Sequence, residues 1–286
     1  MKYLFASLGT ALLIVAGATI FFHFDRGAYD PDGTPYAEKL TYWKSRIHAV
    51  GGVKAYEELA VFVKSYTVGV QHNETHVFGS ALYSEEGIQG VGVCDDRFEY
   101  ACFHQVIGEV LSDLGMSSFP KVVEICKGSP ACLHSEGHGV IALEGYTFAD
   151  LQRAIQVCEA LPGDVYVHGC YGGLFMEYNM RRLLSDSQHP RTIGENWLEP
   201  CDAFSGVLGR ICYYWQPTWW RSQIAPEDLI LTEPGFKRMG DLCESVPDVE
   251  LRASCFEGTG VITLNSGGTT NDGVAACDSV SQSDFG

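Results

Sequence analysis

The sequence predicts an all-α domain of disulfide-stapled helical-hairpin repeats (α-solenoid-like), held outside the cytoplasm behind one N-terminal transmembrane helix. Three observations predict this: an uncharged apolar run at the N-terminus, cysteines that recur in spaced pairs, and amphipathic stretches separated by short breakers. The chain has 286 residues, 46% of them hydrophobic, which is enough for a folded core and excludes wholesale disorder. We expect a membrane segment at 1–26, a linker at 27–37, the repeat domain at 38–264 and a mobile polar tail at 265–286.

The N-terminal run extends from Tyr3 to Phe22 without a charge, which is long enough for a helix to cross a bilayer. The alternative is a cleavable signal peptide that ends at the small residues 16–18. We favour the anchor because the apolar run continues beyond that point. Both interpretations place the rest of the chain outside the cytoplasm, in the periplasm or outside the cell, and the anchor also makes the membrane a partner.

The 11 cysteines all lie between Cys94 and Cys277, and none has the C-x-x-C spacing of a zinc site, so disulfides are expected. Ten of them form doublets whose first members recur every 32, 32, 43 and 42 residues, a period typical of helical hairpins. Each first cysteine ends one helical stretch and each second opens another, which predicts pairing within the doublets. The predicted pairs are Cys94 with Cys102, Cys126 with Cys132, Cys158 with Cys170, Cys201 with Cys212, and Cys243 with Cys255.

The elements follow in order along the chain. Helices are predicted at 38–48 and 53–68, on either side of two glycines, and the helix that ends at Cys158 begins with Thr147 and Asp150 as an N-terminal cap. Cys277 has the position of a sixth opening cysteine. Its partner would then lie near or beyond the end of this chain, or in another molecule.

Five of the nine histidines have a spacing that suits metal binding. His72 with His76, and His134 with His138, are four residues apart, so each pair shares one helix face and can reach one ion. His104 and His134 both follow the second cysteine of a doublet by two residues, so adjacent repeats bring them together. This pattern predicts a transition-metal site.

The candidate ligands are His104, His134, His138, His76, Glu109 and Glu177, with His72 beside them. Imidazole with carboxylate suits zinc, iron, manganese or copper. Glu74 and Glu136 lie between the paired histidines and face the other side of each helix, so neither suits the general base of a zinc protease.

A structural interpretation of the same residues is also open. The histidines can be packed or hydrogen-bonded residues, and His72 and His76 flank a glycosylation sequon, Asn73 to Thr75, which prefers an exposed loop. Glycines near them indicate close helix approach or access to a site. The aromatic run at 213–220 is expected to pack in the core, with a partner surface or a contact with lipid as the alternatives.

Charge and missing motifs exclude several function classes. A net charge of −17 and a pI near 4.8 argue against nucleic acid as a partner. The sequence has no G-x-S-x-G, no P-loop, no G-x-G-x-x-G and no C-x-x-C-H, so no nucleotide and no covalent haem are expected. The ten cysteines of the doublets are committed to disulfides, which argues against a thiol nucleophile among them.

At CLHSEGHG (132–139) and CYGGLFMEYN (170–179) the chain resembles extracytoplasmic bacterial proteins whose Cys-rich segments carry HGxGHG-like and CYGGxFME-like motifs. The resemblance covers roughly residues 71–177, and the last two doublets lack the histidine after the second cysteine. It implies an extracytoplasmic location and carries no activity to this chain.

Two functions of different class follow from the sequence. The first is a histidine-based metal site that serves metal storage or metal-assisted hydrolysis or oxidation. The second is a non-catalytic scaffold, a solenoid face that binds a protein, for example as an accessory subunit of a membrane complex. Whether the protein is an enzyme stays open at this stage.

Overall fold

The computed structural model describes residues 29–161, 168–180, 196–225 and 231–264, and within these ranges it contains eleven α-helices and no β-strand. The all-α prediction is therefore confirmed. The helices are α1 (Tyr36–Val50), α2 (Gly52–Val63), α3 (Val68–Glu86), α4 (Ala101–Leu114), α5 (Phe119–Cys126), α6 (Pro130–Glu144), α7 (Phe148–Glu159), α8 (Cys170–Met180), α9 (Gly206–Ile224), α10 (Glu233–Glu244) and α11 (Val249–Leu264).

Seven helices pack against one another in chain order and form what we call the helix row: α1, α3, α4, α6, α8, α9 and α11. The other four helices each lie against a member of this row. A helix inside the row has neighbours on two sides, so α6 is buried from Ala131 to Gly137 and again from Gly139 to Ile141. Side chains of the row therefore face one another rather than solvent.

Five disulfides confirm the pairing predicted within the doublets, with Cα–Cα distances of 5.4 to 5.6 Å. The bonded pairs are Cys94 with Cys102, Cys126 with Cys132, Cys158 with Cys170, Cys201 with Cys212, and Cys243 with Cys255.

Each disulfide ties an outer segment to the helix row. The second cysteine of every pair lies in a helix of the row, and the first lies in the segment before it. The second cysteines are Cys102 in α4, Cys132 in α6, Cys170 in α8, Cys212 in α9 and Cys255 in α11. Closing loops of this length stabilises a fold by roughly 2 to 3 kcal/mol in the chain-entropy model.

Local signals determine where the helices begin and end. Thr147 and Asp150 form the predicted capping box at the start of α7. The helix predicted at 53–68 ends earlier, at Val63, because Thr67 caps the next helix by accepting from the N–H of Val70. Gly145 follows α6 with a φ of 112°, a conformation that a residue with a Cβ rarely adopts.

The core holds most of the large aromatic side chains. Trp43 and Trp220 are 0% exposed and Tyr213 is 1% exposed, so this part of the aromatic run packs in the core as expected. Its neighbours Tyr214 and Trp215 instead line a cavity beside the histidines.

Several predicted segments lie outside the described residues: the membrane helix within 1–26, the polar tail at 265–286, and Cys277. Among the helices that the structure describes, none combines the length and the apolar character needed to span a membrane. Within the expected linker, Tyr29 is 7% exposed and its hydroxyl donates a hydrogen bond to Glu74. The helical domain therefore begins before residue 38.

Candidate metal centre

Three consecutive helices of the row bring five histidines together. His72 and His76 come from α3, His104 from α4, and His134 and His138 from α6. His104 lies at the centre, with its ring centroid 6.1 Å from that of His76 and 4.6 Å from that of His138. The structure brings these side chains together, as the sequence predicts.

Small residues allow the helices to approach closely enough for this convergence. A Cβ on Gly79 of α3 would lie 2.6 Å from the Cβ of Gln105 on α4. A Cβ on Gly173 of α8 would lie 1.7 Å from the carbonyl oxygen of His134 on α6. Of the glycines expected to serve close approach, Gly108 has no such neighbour within 4 Å and instead lines a small cavity.

The ring nitrogens form two groups of three that share His104. In the first group, His72, His76 and His104 each offer a ligand atom, and these atoms lie within 4.8 Å of one another. The second group is made of His104, His134 and His138 under the same distance limit. We refer to these as the first and the second histidine triad.

The Nδ1 atoms of the two α3 histidines already have acceptors. His72 Nδ1 lies 2.9 Å from the carbonyl oxygen of Phe98, and His76 Nδ1 lies 3.1 Å from Oε1 of Gln105. Glu109 orients that amide, because its carboxylate accepts from Nε2 of Gln105 at 2.9 Å. Carbonyl and amide oxygens only accept, so each Nδ1 carries a proton, which leaves Nε2 as the nitrogen that can offer a lone pair.

These two Nε2 atoms, of His72 and His76, lie 3.0 Å apart. Two lone pairs that face each other at this distance repel unless a cation lies between them. A proton on His76 is disfavoured there near neutral pH, since burial and the neighbouring His72 lower the pKa of His76 to about 4. The arrangement therefore suits a metal ion.

His104 completes the first triad with an uncommitted nitrogen. Its Nε2 atom is buried and has no hydrogen-bond partner among the described residues. Burial, reinforced by His138 and the other surrounding histidines, lowers the pKa of His104 well below its ordinary value. The ring is thus neutral, the form in which imidazole binds metals.

The second triad has a different hydrogen-bond pattern. His138 Nδ1 lies 3.1 Å from the Glu177 carboxylate and donates to it, and His138 Nε2 lies 3.2 Å from Nε2 of His134. One N–H from His134 satisfies that contact without any ion. The second triad is therefore stable as a hydrogen-bonded group.

The two carboxylates predicted as metal ligands lie outside the histidine triads, behind the histidines or their partners. Glu177 accepts from His138 and from the Tyr146 hydroxyl at 2.8 Å, and Glu109 accepts from Gln105 and from the Ser80 hydroxyl at 2.8 Å. Neither belongs to a histidine triad. Partners of this kind orient metal-binding imidazoles and make them more basic.

The segment before α4 is held in an uncommon backbone conformation. Phe98, Glu99 and Tyr100 have φ values of 56°, 53° and 65°, which cost roughly 1 kcal/mol or more per residue outside glycine. This conformation aims the Phe98 carbonyl at His72 and places the Tyr100 ring 6.2 Å from that of His104. Strain of this kind often accompanies functional sites.

A third group of residues has possible ligand atoms within 4.8 Å of one another: Cys126, Cys132 and Glu136. The two cysteines form a disulfide, so they offer no thiolate. Glu136 is fully buried, its Oε2 has no hydrogen-bond partner among the described residues, and burial raises its pKa to about 8. As predicted, Glu136 and Glu74 face away from the histidines, and Glu74 accepts from Trp43 at 2.8 Å.

Some residues of the site carry no sequence signal. The Phe98 carbonyl and the Gln105 amide hold the α3 histidines, but a backbone group and an ordinary helix glutamine belong to no motif. Arg221 and Trp215 line the adjacent cavity from α9, which is more than a hundred residues away in the chain. Only the order of the helix row brings them to the histidines.

No family model matches this chain, and neither a curated protein nor a solved structure is significantly similar to it. Conclusions about function therefore depend on the geometry of the site.

Proposed function

We propose that the protein binds one transition-metal ion at the first histidine triad. The observation that carries this proposal is the 3.0 Å separation of the His72 and His76 Nε2 atoms, whose rings both donate from Nδ1. In a tetrahedral zinc site with bonds of 2.0–2.1 Å, neighbouring ligand nitrogens are about 3.3 Å apart. The observed spacing is therefore close to what an ion needs.

The shared residue limits the site to one ion. His104 belongs to both triads, and a neutral imidazole has a single lone pair. An ion in the second triad, through His134 and His138, would have to compete for the same ring. We place the ion in the first triad because only there do two fixed lone pairs face each other.

Three imidazoles leave a position open on a four-coordinate ion. Structural zinc sites are usually closed by four protein ligands, whereas catalytic sites have three with water or substrate in the fourth place. Cavities adjoin the first triad, and His72 and His104 line both of them. This favours metal-assisted chemistry, such as hydrolysis or oxidation, over storage. Imidazole ligands suit zinc, copper or iron.

The organisation of the chain completes the proposal. The recurrence of a disulfide at successive helices of the row supports a stack of helical-hairpin repeats, α-solenoid-like in plan. The uncharged segment from Tyr3 to Phe22 supports attachment to a membrane with the repeats outside the cytoplasm. Extraction of membranes with alkaline carbonate distinguishes a retained anchor from a released chain.

Elemental analysis tests the metal proposal. The full chain is produced through an oxidising compartment, purified without a histidine tag and compared with His76→Ala and His138→Ala. The control is His48→Ala, since the His48 side chain is 85% exposed and belongs to neither triad. We expect near-stoichiometric metal in the wild type and in the His138 and His48 variants, and its loss in His76→Ala.

Two results would contradict this proposal. Loss of metal from His138→Ala but not from His76→Ala would move the ion to the second triad. No metal in any sample of folded, fully oxidised protein would reduce the histidines to packing residues and make the interaction scaffold the hypothesis to pursue.

A further inference from the structure

The larger cavity beside the first triad has the size of a ligand site. Its volume is about 630 Å³, within the range of pockets that take small molecules. His72, His104 and His134 line one side of it, and Trp215, Thr218 and Arg221 of α9 line another. A molecule in this cavity would lie next to the proposed metal ion.

Arg221 is a buried cation in this cavity. It is 9% exposed, its Nε has no hydrogen-bond partner, and no described acidic group forms an ion pair with it. Burying a charge without a counter-ion is unfavourable, and burial lowers the pKa of the Arg221 guanidinium. Since no described residue neutralises it, a ligand that brings its own negative charge would do so.

Two further hydrogen-bond donors lie beside Arg221. The indole Nε1 of Trp215 is buried and has no hydrogen-bond partner among the described residues, and the Thr218 hydroxyl lines the same cavity. These three residues follow one another at intervals of three along α9, so Thr218 is the neighbour of both Trp215 and Arg221 on its surface. An indole N–H and a guanidinium can only donate, which means that the ligand must present acceptors.

The charge of the cavity selects a monoanion. Its acidic lining residues, Asp96 and Glu99, are both exposed and so lie at its solvent edge, while Arg221 is the buried cation. At the Arg221 end of the cavity, the one buried positive charge matches one carboxylate better than a phosphate dianion. The remaining wall includes the rings of Tyr100 and Tyr214, which suit an aromatic or apolar body.

We propose that this cavity binds a small aromatic carboxylic acid, with its carboxylate on Arg221 and Trp215 and its ring directed towards the histidines. This inference rests on the proposed function, because it names the class of substrate or ligand that the proposed metal site would receive. The anion contacts themselves involve no metal.

Isothermal titration calorimetry with benzoate tests the inference on the full chain, both metal-free and loaded with zinc. Benzamide, which has nearly the same shape but no charge, is the control ligand. We expect wild-type protein to bind benzoate and not benzamide, and Arg221→Met to bind benzoate more weakly by about tenfold or more, as for loss of a charged hydrogen bond. Arg238→Met is the control variant, because this exposed arginine lies over the Trp197 ring, away from the cavity lining.

The melting temperature separates an anion anchor from a structural role. Removal of an unpaired buried charge should leave the melting temperature of Arg221→Met without benzoate equal to or above that of the wild type. Trp215→Phe, which retains a ring and loses the N–H, provides a second variant and should weaken benzoate binding severalfold while zinc binding is unchanged.

Absence of benzoate binding in both wild-type forms, or equal binding by wild type and Arg221→Met, would overturn the inference. A lower melting temperature of Arg221→Met would assign that residue to the fold and overturn it as well. If benzoate binds as expected but zinc does not bind, the anion site stands and only the metal proposal fails.

Discussion

His72 and His76 present their Nε2 atoms to each other at 3.0 Å, while the Nδ1 of each ring donates elsewhere, to Phe98 and to Gln105. Such a pair is unfavourable without a cation and favourable with one. If a metal binds at the proposed site, the free energy of binding includes relief of this repulsion.

Replacement of Gln105 by Leu should weaken metal binding. Without an acceptor, the His76 ring is free to rotate or to move its proton to Nε2, and loss of such an outer partner typically costs about 10- to 100-fold in metal affinity. Competition with a fluorescent zinc chelator measures the change. The matched control is Gln71→Leu, since Gln71 donates to the Tyr66 carbonyl and touches neither triad. Equal affinities for the two variants would show that Gln105 does not orient the ligand.

Acid should destabilise the metal-free protein through His76. The pKa of His76 is about 4 in the fold and 6.5 in the unfolded chain, so the unfolded state binds the extra proton as pH falls through this interval. Stability is therefore present above about pH 6.5 and is lost towards pH 4, by on the order of 3 kcal/mol for this group. Urea unfolding at pH 7 and pH 4.5 measures the loss, which should be smaller in His76→Asn. An identical loss in both proteins would contradict the burial of a neutral ring.

Replacement of Gly79 by Ala should separate α3 from α4. The new methyl group would meet the Cβ of Gln105 at 2.6 Å, and neither helix has a flexible side-chain end to move aside. We expect a loss of about 1 to 3 kcal/mol in the free energy of unfolding, together with weaker zinc binding. Gly108→Ala on α4 is the control, since nothing lies within 4 Å of its Cβ, and it should stabilise the helix by up to about 1 kcal/mol. A Gly79 variant as stable as the wild type would mean that the two helices do not pack this closely.

Because of Glu136, the free energy of unfolding should decrease as pH rises. Its pKa is about 8 in the fold and 4.5 in the unfolded chain, so the folded state retains a proton that the unfolded state releases between these values. The stability contribution is complete below about pH 4.5 and is lost as pH rises through 8, by about 1.4 kcal/mol per pKa unit. Glu136→Gln stays neutral, and its stability relative to the wild type should increase between pH 5 and pH 8 in denaturant unfolding. A constant difference between the two proteins would show that Glu136 is ionised in the fold.

The cysteines made much of the fold predictable. A disulfide closes a short segment, so the spacing of Cys126 and Cys132, or of Cys158 and Cys170, already indicates a tie between one helix and the next. The same cysteine spacing predicted that His104 and His134 lie close together, since each follows the second cysteine of a doublet by two residues. The end of one helix was predicted wrongly. The apolar pattern predicted a helix to residue 68, but the helix from Gly52 ends at Val63 because Thr67 caps the next helix.

The partners of the histidines were beyond prediction for a physical reason. Sequence periodicity reports which face of a helix is apolar, but it does not report which backbone carbonyl is turned towards that face. The Phe98 carbonyl reaches His72 only because three residues adopt a left-handed conformation. Arg221 likewise meets the site through the packing of α8 and α9, which is a property of the whole row.

X-ray absorption spectroscopy of the full chain loaded with one equivalent of zinc tests the central claim most directly. We predict three imidazole nitrogens at about 2.0–2.1 Å from the metal, with the fourth place taken by water or a ligand oxygen. The first triad, with Nε2 atoms already 3.0 Å apart in one pair, leads to this result. A shell of carboxylate and water oxygens without imidazole would show that zinc binds the acidic surface and would contradict the metal centre.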